Sequence, residues 1–132
     1  DFHSGAVATI VTSFDTWASR LPRIEVYGTE GTLSVPDPNT FGGPVEVQRG
    51  REEWASVELA YPEGQRSLGV VDMASSIRTG RASRVDARLA RHVLEIMQGL
   101  HESSDTGRHV VLRSACDQPA PVQPGLPEGH FN

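Results

Sequence analysis

The spacing of hydrophobic residues changes halfway along this chain, and the change decides which elements the chain can form. In the first half, apolar residues alternate with polar ones, as Ile24 and Val26 do around Glu25. A period of two is typical of a β-strand with one buried face. In the second half, apolar residues recur at steps of three and four between Val85 and Leu100. That is the period of an amphipathic helix, so the sequence predicts strands first and helices afterwards.

Turn-forming residues divide the first half into separate strands. The run GAVATIVTSF at 5–14 is rich in β-branched residues and is predicted to be a strand. Residues 24–35 are predicted to be a hairpin, because GTEG at 28–31 supplies two glycines to the turn. Prolines and glycines place residues 36–44 in a loop, and a second strand pair is predicted over residues 45–59 around the polar RGREE.

Two helices are predicted in the second half. The shorter one begins near Val70 and is stopped by Gly80. The longer one covers roughly twenty residues, with Ser83 as its N-cap, Asp86 as the acidic partner three residues later, and an end near Gly107. Its apolar face is formed by Val85, Leu89, Val93, Ile96 and Leu100.

A last strand and a proline-rich tail complete the predicted order. Residues 109–112 are predicted to be a strand, whereas residues 119–132 hold four prolines before Gly129 and are predicted to be an extended or disordered tail. The length of 132 residues suits one domain, over residues 1–118. The expected fold class is α+β, with a largely antiparallel, open-faced sheet and two helices packed on one face. Its other face and an edge stay open, so a second copy or upstream sequence is expected to cover them.

Composition and charge exclude several classes of function. All 12 positively charged side chains are Arg, so no lysine is present for Schiff-base chemistry or for a P-loop. The net charge of -5 makes nucleic acids and anionic membranes poor partners, and no apolar stretch is long enough to span a membrane. The single Cys116 cannot form an internal disulfide, which favours a cytoplasmic location.

The titratable residues do not form a complete catalytic or metal site in the sequence. His92 and Glu95 are three residues apart on the long helix without further ligands, so no metal is expected and His92 is interpreted as a packed, hydrogen-bonded helix residue. His101, Ser103 and Asp105 are close in sequence, but no strand-to-helix elbow presents the serine as a nucleophile. No catalytic residue is therefore assigned.

Arg66 and Asp72 are the candidate substrate-binding residues. They belong to YPEGQRSLGVVD at 61–72, which leads from the sheet into a helix, a usual place for ligand contacts. The Arg66 guanidinium suits a carboxylate or a pair of hydroxyls, and Asp72 is expected near a helix N-terminus, which favours its charge. The alternative is that Arg66 is an ordinary surface arginine and Asp72 an ordinary helix-start aspartate.

Three strings in the sequence carry a resemblance to a known family. They are IEVYGTEGTLSVPDPNTFGG at 24–43, GVVDMASSIRTGRASR at 69–84 and LARHVLEIMQGLHESSDTGRHVVL at 89–112. Together they resemble the C-terminal domain of the glucose-fructose oxidoreductase, inositol dehydrogenase and MocA family. Members of that family are NAD- or NADP-dependent oxidoreductases, mostly of sugars and cyclitols, with an N-terminal Rossmann domain. The resemblance implies that this chain shapes a substrate pocket on its helix-covered side and forms a homodimer through its open sheet face.

The departures from the family pattern limit what the resemblance implies. The cofactor fingerprint and the E-K-P lysine of the family have no match, because the chain has neither G-x-G-x-x-G nor any Lys. The D-x-x-x-H pair of the family has no match before residue 5. The Rossmann domain, the NAD or NADP site and the catalytic groups are therefore expected upstream, and a chain that begins at Asp1 is expected to be part of a longer protein.

Two functions remain open at this point. In the first, the chain is an enzyme fragment that binds no cofactor and is inactive alone. In the second, it is a stand-alone, non-catalytic homo-oligomerisation module. The sequence upstream of Asp1 distinguishes them.

Overall fold

A computed structural model describes residues 1–59 and 66–122. The described part contains four strands, one turn of 3-10 helix at Pro38–Thr40 and two α-helices. The strands are β1 (Ile24–Tyr27), β2 (Gly31–Val35), β3 (Glu46–Arg49) and β4 (Ala55–Ser56), and the helices are α1 (Leu68–Thr79) and α2 (Ala87–Thr106).

The four strands form one antiparallel sheet in the order β1-β2-β3-β4. Directly opposite residues share a face of such a sheet. The register therefore places Val26, Leu33, Val47 and Ala55 in one apolar row across all four strands. The neighbouring row, on the opposite face, is Glu25, Ser34, Glu46 and Ser56. The predicted hairpin, loop and second strand pair are confirmed.

Both helices end where the sequence predicts, at glycines in the left-handed region. Gly80 has a φ of 73° and Gly107 a φ of 64°. The predicted start of α2 is wrong: its N-cap is Asp86, whose carboxylate accepts from the backbone N–H groups of Arg88 and Leu89 at 3.0 and 2.9 Å. The physical reason is that the chain just before Asp86 is turned back toward α1 by hydrogen bonds to that helix.

The strands predicted at 5–14 and 109–112 are absent from the described structure. Both segments are free of regular structure, and neither pairs with a described strand. β-branched residues favour an extended backbone, but a strand needs a partner for its hydrogen bonds. The second segment keeps a strand-like pattern, because exposed and half-buried residues alternate from Val110 to Asp117 as it runs beside α2. A Cβ on Gly99 of α2 would lie 3.3 Å from the Leu112 side chain.

The α+β composition and the antiparallel, open-faced sheet are confirmed, but the predicted packing of the helices on one sheet face is not seen. Within the described ranges, extensive contacts between elements join only neighbouring strands, and no hydrophobic residue is buried. In the part of the chain that the structure describes, neither helix covers the sheet, and the hydrophobic core that such a layer creates is absent.

The accessible surface shows how open the structure is. The chain exposes 11775 Å², whereas a folded monomer of its mass exposes about 6,800 Å². Residues 60–65 and 123–132, even if fully extended, would account for about 2,600 Å² of the difference. An excess of at least about 2,000 Å² therefore belongs to the described residues.

Substitution of Gly31 by alanine tests the packing of β2 against β3. A Cβ at this position would lie 2.1 Å from the Gln48 carbonyl oxygen, so Gly31→Ala must push the two strands apart. We expect the variant to lower the free energy of unfolding by about 1–3 kcal/mol, measured by thermal denaturation in circular dichroism. Gly28→Ala is the matched control, because its nearest contact would be an ordinary 3.5 Å. Equal melting curves for the two variants would contradict the register.

Candidate functional site

Asp72 is a buried carboxylate that binds two arginines at the corner between α1 and α2. Its Oδ1 accepts from Arg81 Nη2 at 2.6 Å and from Arg84 Nη1 at 2.5 Å. Its Oδ2 accepts from the backbone N–H of Arg84 at 3.0 Å. Three charge-assisted or backbone hydrogen bonds on one carboxylate fix the path of residues 81–84.

The charge of Asp72 is stabilised despite its burial. Burial alone raises the pKa of this carboxyl, since it penalises the charged form. The hydrogen bonds from Arg81 and from the backbone and side chain of Arg84 act in the opposite direction, and together they lower the pKa to about 2. Asp72 therefore stays ionised over the physiological pH range.

The structure separates the two predicted substrate-binding residues. Asp72 lies in the second turn of α1, so the prediction that it stands at the helix N-terminus is wrong. Both of its oxygens are engaged within the chain. Arg66 lies over the Phe41 ring, 5.0 Å from its centroid, and no ion pair or hydrogen bond joins it to Asp72 in the described ranges. Their role in substrate binding stays a prediction, and most of the loop that joins the sheet to Arg66, residues 60–65, lies outside the described residues.

A groove of about 250 Å³ lies beside this corner, where the last described residues return to α2. Arg84 donates to the carbonyl oxygens of Ala120 and Pro121 at 3.0 and 3.4 Å, which holds these two residues beside the groove. Arg88, which also lines the groove, pairs with Asp86 at 2.9 Å. These guanidinium groups already bind acceptors of the chain itself, so the groove does not present them as an anion site.

A second polar cluster fastens the segment after α2 onto that helix. The Glu95 carboxylate accepts from the backbone N–H groups of Arg113 and Ser114 at 2.6 and 3.0 Å. Hydrogen bonds from the Ser114 hydroxyl and from the Arg113 backbone lower the pKa of Glu95. His92 Nδ1 lies 2.8 Å from Ser114 Oγ, so the interpretation of His92 as a packed, hydrogen-bonded helix residue is confirmed.

The order of these three groups does not suit nucleophilic catalysis. In a catalytic triad the histidine lies between the serine and the carboxylate. Here Ser114 lies between Glu95 and His92, so the carboxylate does not orient the histidine. The sequence cluster of His101, Ser103 and Asp105 does not form a triad either. The Ser103 hydroxyl donates to the Arg108 carbonyl oxygen and helps to end α2. No group of three potential metal ligands occurs in the described part of the chain.

The uncovered apolar face of the sheet is the strongest candidate for a functional surface. A groove of about 320 Å³ lies on it beside the β1–β2 turn. Val26, Leu33 and Val47 form its apolar floor, and Glu30 and Arg49 contribute a charge of each sign. Sequence reasoning predicted one apolar face from the period of two, and an open face opposite the helices. It missed this groove, because the groove depends on which residues of three strands lie opposite one another.

Comparison with known proteins adds no relative. No protein-family profile matches the chain, and neither curated sequences nor solved structures give a match. Neither helix of the described part is long and apolar enough to cross a membrane.

Substituting Asp72 tests the cluster at the helix corner. Asp72→Asn removes the charge that Arg81 and Arg84 bind, so we expect the free energy of unfolding to fall by roughly 1–3 kcal/mol. Asp105→Asn, on the exposed surface of α2, is the control and should change little. Because the folded pKa of Asp72 is lowered to about 2 from an ordinary 3.8, its contribution is complete above about pH 5 and is lost as the pH falls through about 2. Denaturation curves recorded from pH 5 to pH 2 measure this; an equal acid dependence in Asp72→Asn would contradict it.

Proposed function

We propose that this chain is the C-terminal substrate and assembly domain of an NAD(P)-dependent oxidoreductase of the glucose-fructose oxidoreductase, inositol dehydrogenase and MocA family. The parent enzyme acts on a sugar or a related polyol in the cytoplasm. The domain forms a homodimer through its open sheet face and helps to shape the substrate pocket. The hydride-transfer chemistry belongs to an upstream Rossmann domain.

The uncovered apolar face of the sheet is the observation that carries this proposal. Val26 belongs to a row of apolar residues that crosses all four strands, and such a row is normally covered by a second layer. Yet Val26 is 53% exposed. An apolar sheet face that reaches solvent is typical of a surface that binds another protein. A four-stranded sheet with one apolar and one polar face is stable when a second layer covers the apolar one. In a two-fold dimer, the same face of each copy supplies that layer.

The amount of exposed surface supports a partner beyond a second copy. A standard interface buries about 800 Å² of each partner. The described residues expose at least about 2,000 Å² more than a folded monomer of this mass, so one standard interface leaves more than half of the excess uncovered. A further domain of the same polypeptide supplies the remaining cover, as the family architecture implies.

The side chains also support a division of labour with an upstream domain. Hydride transfer needs the nicotinamide and the substrate held at near-attack distance, with a group that transfers the proton. The sequence has no lysine and no glycine-rich dinucleotide loop. Asp72, Glu95 and His92 are instead engaged in hydrogen bonds that fix the path of the chain.

The dimer is tested by charging one face of β3. Val47→Glu places a carboxylate on the apolar face, and Gln48→Glu places one on the opposite face of the same strand. We expect multi-angle light scattering to give a dimer for the parent chain and for Gln48→Glu, and a monomer for Val47→Glu. A parent chain that stays monomeric at high concentration would remove the assembly function.

The enzymatic parent is tested by cofactor binding and by the reading frame. Titration calorimetry of the chain alone is expected to show no micromolar binding of NAD⁺ or NADP⁺. The open reading frame upstream of Asp1 is expected to encode G-x-G-x-x-G, and its whole product is expected to reduce NAD⁺ or NADP⁺ with a polyol. A start codon directly before Asp1 would instead identify a stand-alone oligomerisation module, and micromolar cofactor binding by the chain alone would contradict the assignment.

A further inference from the structure

Two large aromatic side chains project fully into solvent just before the sheet begins. Phe14 is 108% exposed and Trp17 is 101% exposed, and Leu21 is 67% exposed in the same segment. Aromatic side chains bring most of the apolar area that proteins bury at interfaces, and tryptophan is the residue type most enriched among interface hot spots. An exposed pair of this kind suits an anchor that inserts into another surface.

A local turn lies just before Trp17. Phe14, Trp17 and Leu21 lie within eight residues of one another in a segment without regular structure, and all three are exposed. Ser13 already forms the hydrogen bonds of a turn start, because its Oγ accepts from the Asp15 backbone N–H at 3.2 Å and from the Thr16 hydroxyl at 3.1 Å.

The groove on the apolar sheet face has the size and chemistry of a tryptophan receptor. An apolar cavity of about 150 Å³ holds a benzene ring, and this groove has a volume of about 320 Å³. Val26, Leu33 and Val47 offer an apolar floor to the ring. Glu30 supplies an acceptor for an indole N–H, and Arg49 supplies a cation for the indole face.

The receptor of Trp17 is not its own sheet. Trp17 precedes β1 by only six intervening residues, so the sheet is within reach of the side chain, yet Trp17 is fully exposed. A second copy of the chain presents the same groove, and there the groove is not joined to Trp17 by the short segment that precedes β1. A two-fold arrangement then places each Trp17 against the groove of the other copy, as isologous contact requires.

We propose that Trp17 is the anchor of the homodimer, and that it inserts into the groove formed by Val26, Leu33 and Val47 of the second copy. This inference rests on the proposed dimerisation through the open sheet face and names the residue that directs it. Phe14 and Leu21 flank the anchor and cover the neighbouring apolar surface. Trp17 thereby fixes which part of the sheet meets the other copy.

Fluorescence and light scattering of the full chain test this anchor. Trp54→Phe removes the only other tryptophan, so emission then reports Trp17 alone. We expect Trp17 emission to move to shorter wavelength, and its quenching by acrylamide to fall, over the concentration range in which light scattering shows the dimer forming. Trp17→Ala is expected to raise the dimer dissociation constant about 30-fold or more, as truncation of a hot spot does. Arg20→Ala, an exposed neighbour, is the control and should leave it unchanged.

The possible results separate this inference from the proposed function. A dimer in which Trp17 stays fully quenchable, and which Trp17→Ala does not weaken, overturns the anchor and leaves the dimer in place. If Trp17 is as well protected from acrylamide in the dilute monomer as in the dimer, the anchor is overturned too, because the side chain then packs on its own copy. A chain that is monomeric throughout overturns both. Circular dichroism of Trp17→Ala should match that of the parent, because the exposed side chain supports no fold contact.

Discussion

The antiparallel register of the sheet is the constraint on which the rest of the structure depends. Strand residues alternate between the two faces, and the register aligns apolar residues of all four strands in the same rows. Gly31 allows β2 and β3 to approach as closely as they do. The result is a sheet whose faces differ sharply in polarity, and a face of that kind must be covered by something. A second copy, an upstream domain and the exposed Trp17 are each suited to provide that cover.

The helical half is organised by polar contacts. Its buried side chains in the described part are Asp72, Ser75 and Ser76, and none is hydrophobic. Asp72 holds the turn between α1 and α2 through two arginines, and Glu95 holds the following extended segment through two backbone N–H groups. Buried polar groups with satisfied hydrogen bonds specify a conformation even where they add little net stability. These contacts set the path of the chain while the apolar side of α2, including Val93 and Leu100, stays exposed.

The sequence predicted the elements whose causes are local. The hairpin, the proline-rich loop and the ends of both helices at Gly80 and Gly107 each depend on a few neighbouring residues. The start of α2 could not be predicted in this way, because Arg84 binds a carboxylate twelve residues earlier and so delays the helix to Asp86. The same limit applies to the strands predicted at 5–14 and 109–112, since a strand exists only with a partner. Of the candidate site, the sequence predicted an apolar face and an open face of the sheet, but neither that the apolar face is the uncovered one nor the groove in it.

The brevity of the strands has a consequence for how copies of this chain recognise one another. The two edge strands, β1 and β4, have four and two residues, so each free edge offers few backbone hydrogen bonds to a neighbour. Edge-to-edge pairing could extend without limit into fibres, but these few hydrogen bonds stabilise it only weakly. Face-to-face pairing about a two-fold axis closes after two copies. The short edges thus favour a finite particle over an open-ended polymer.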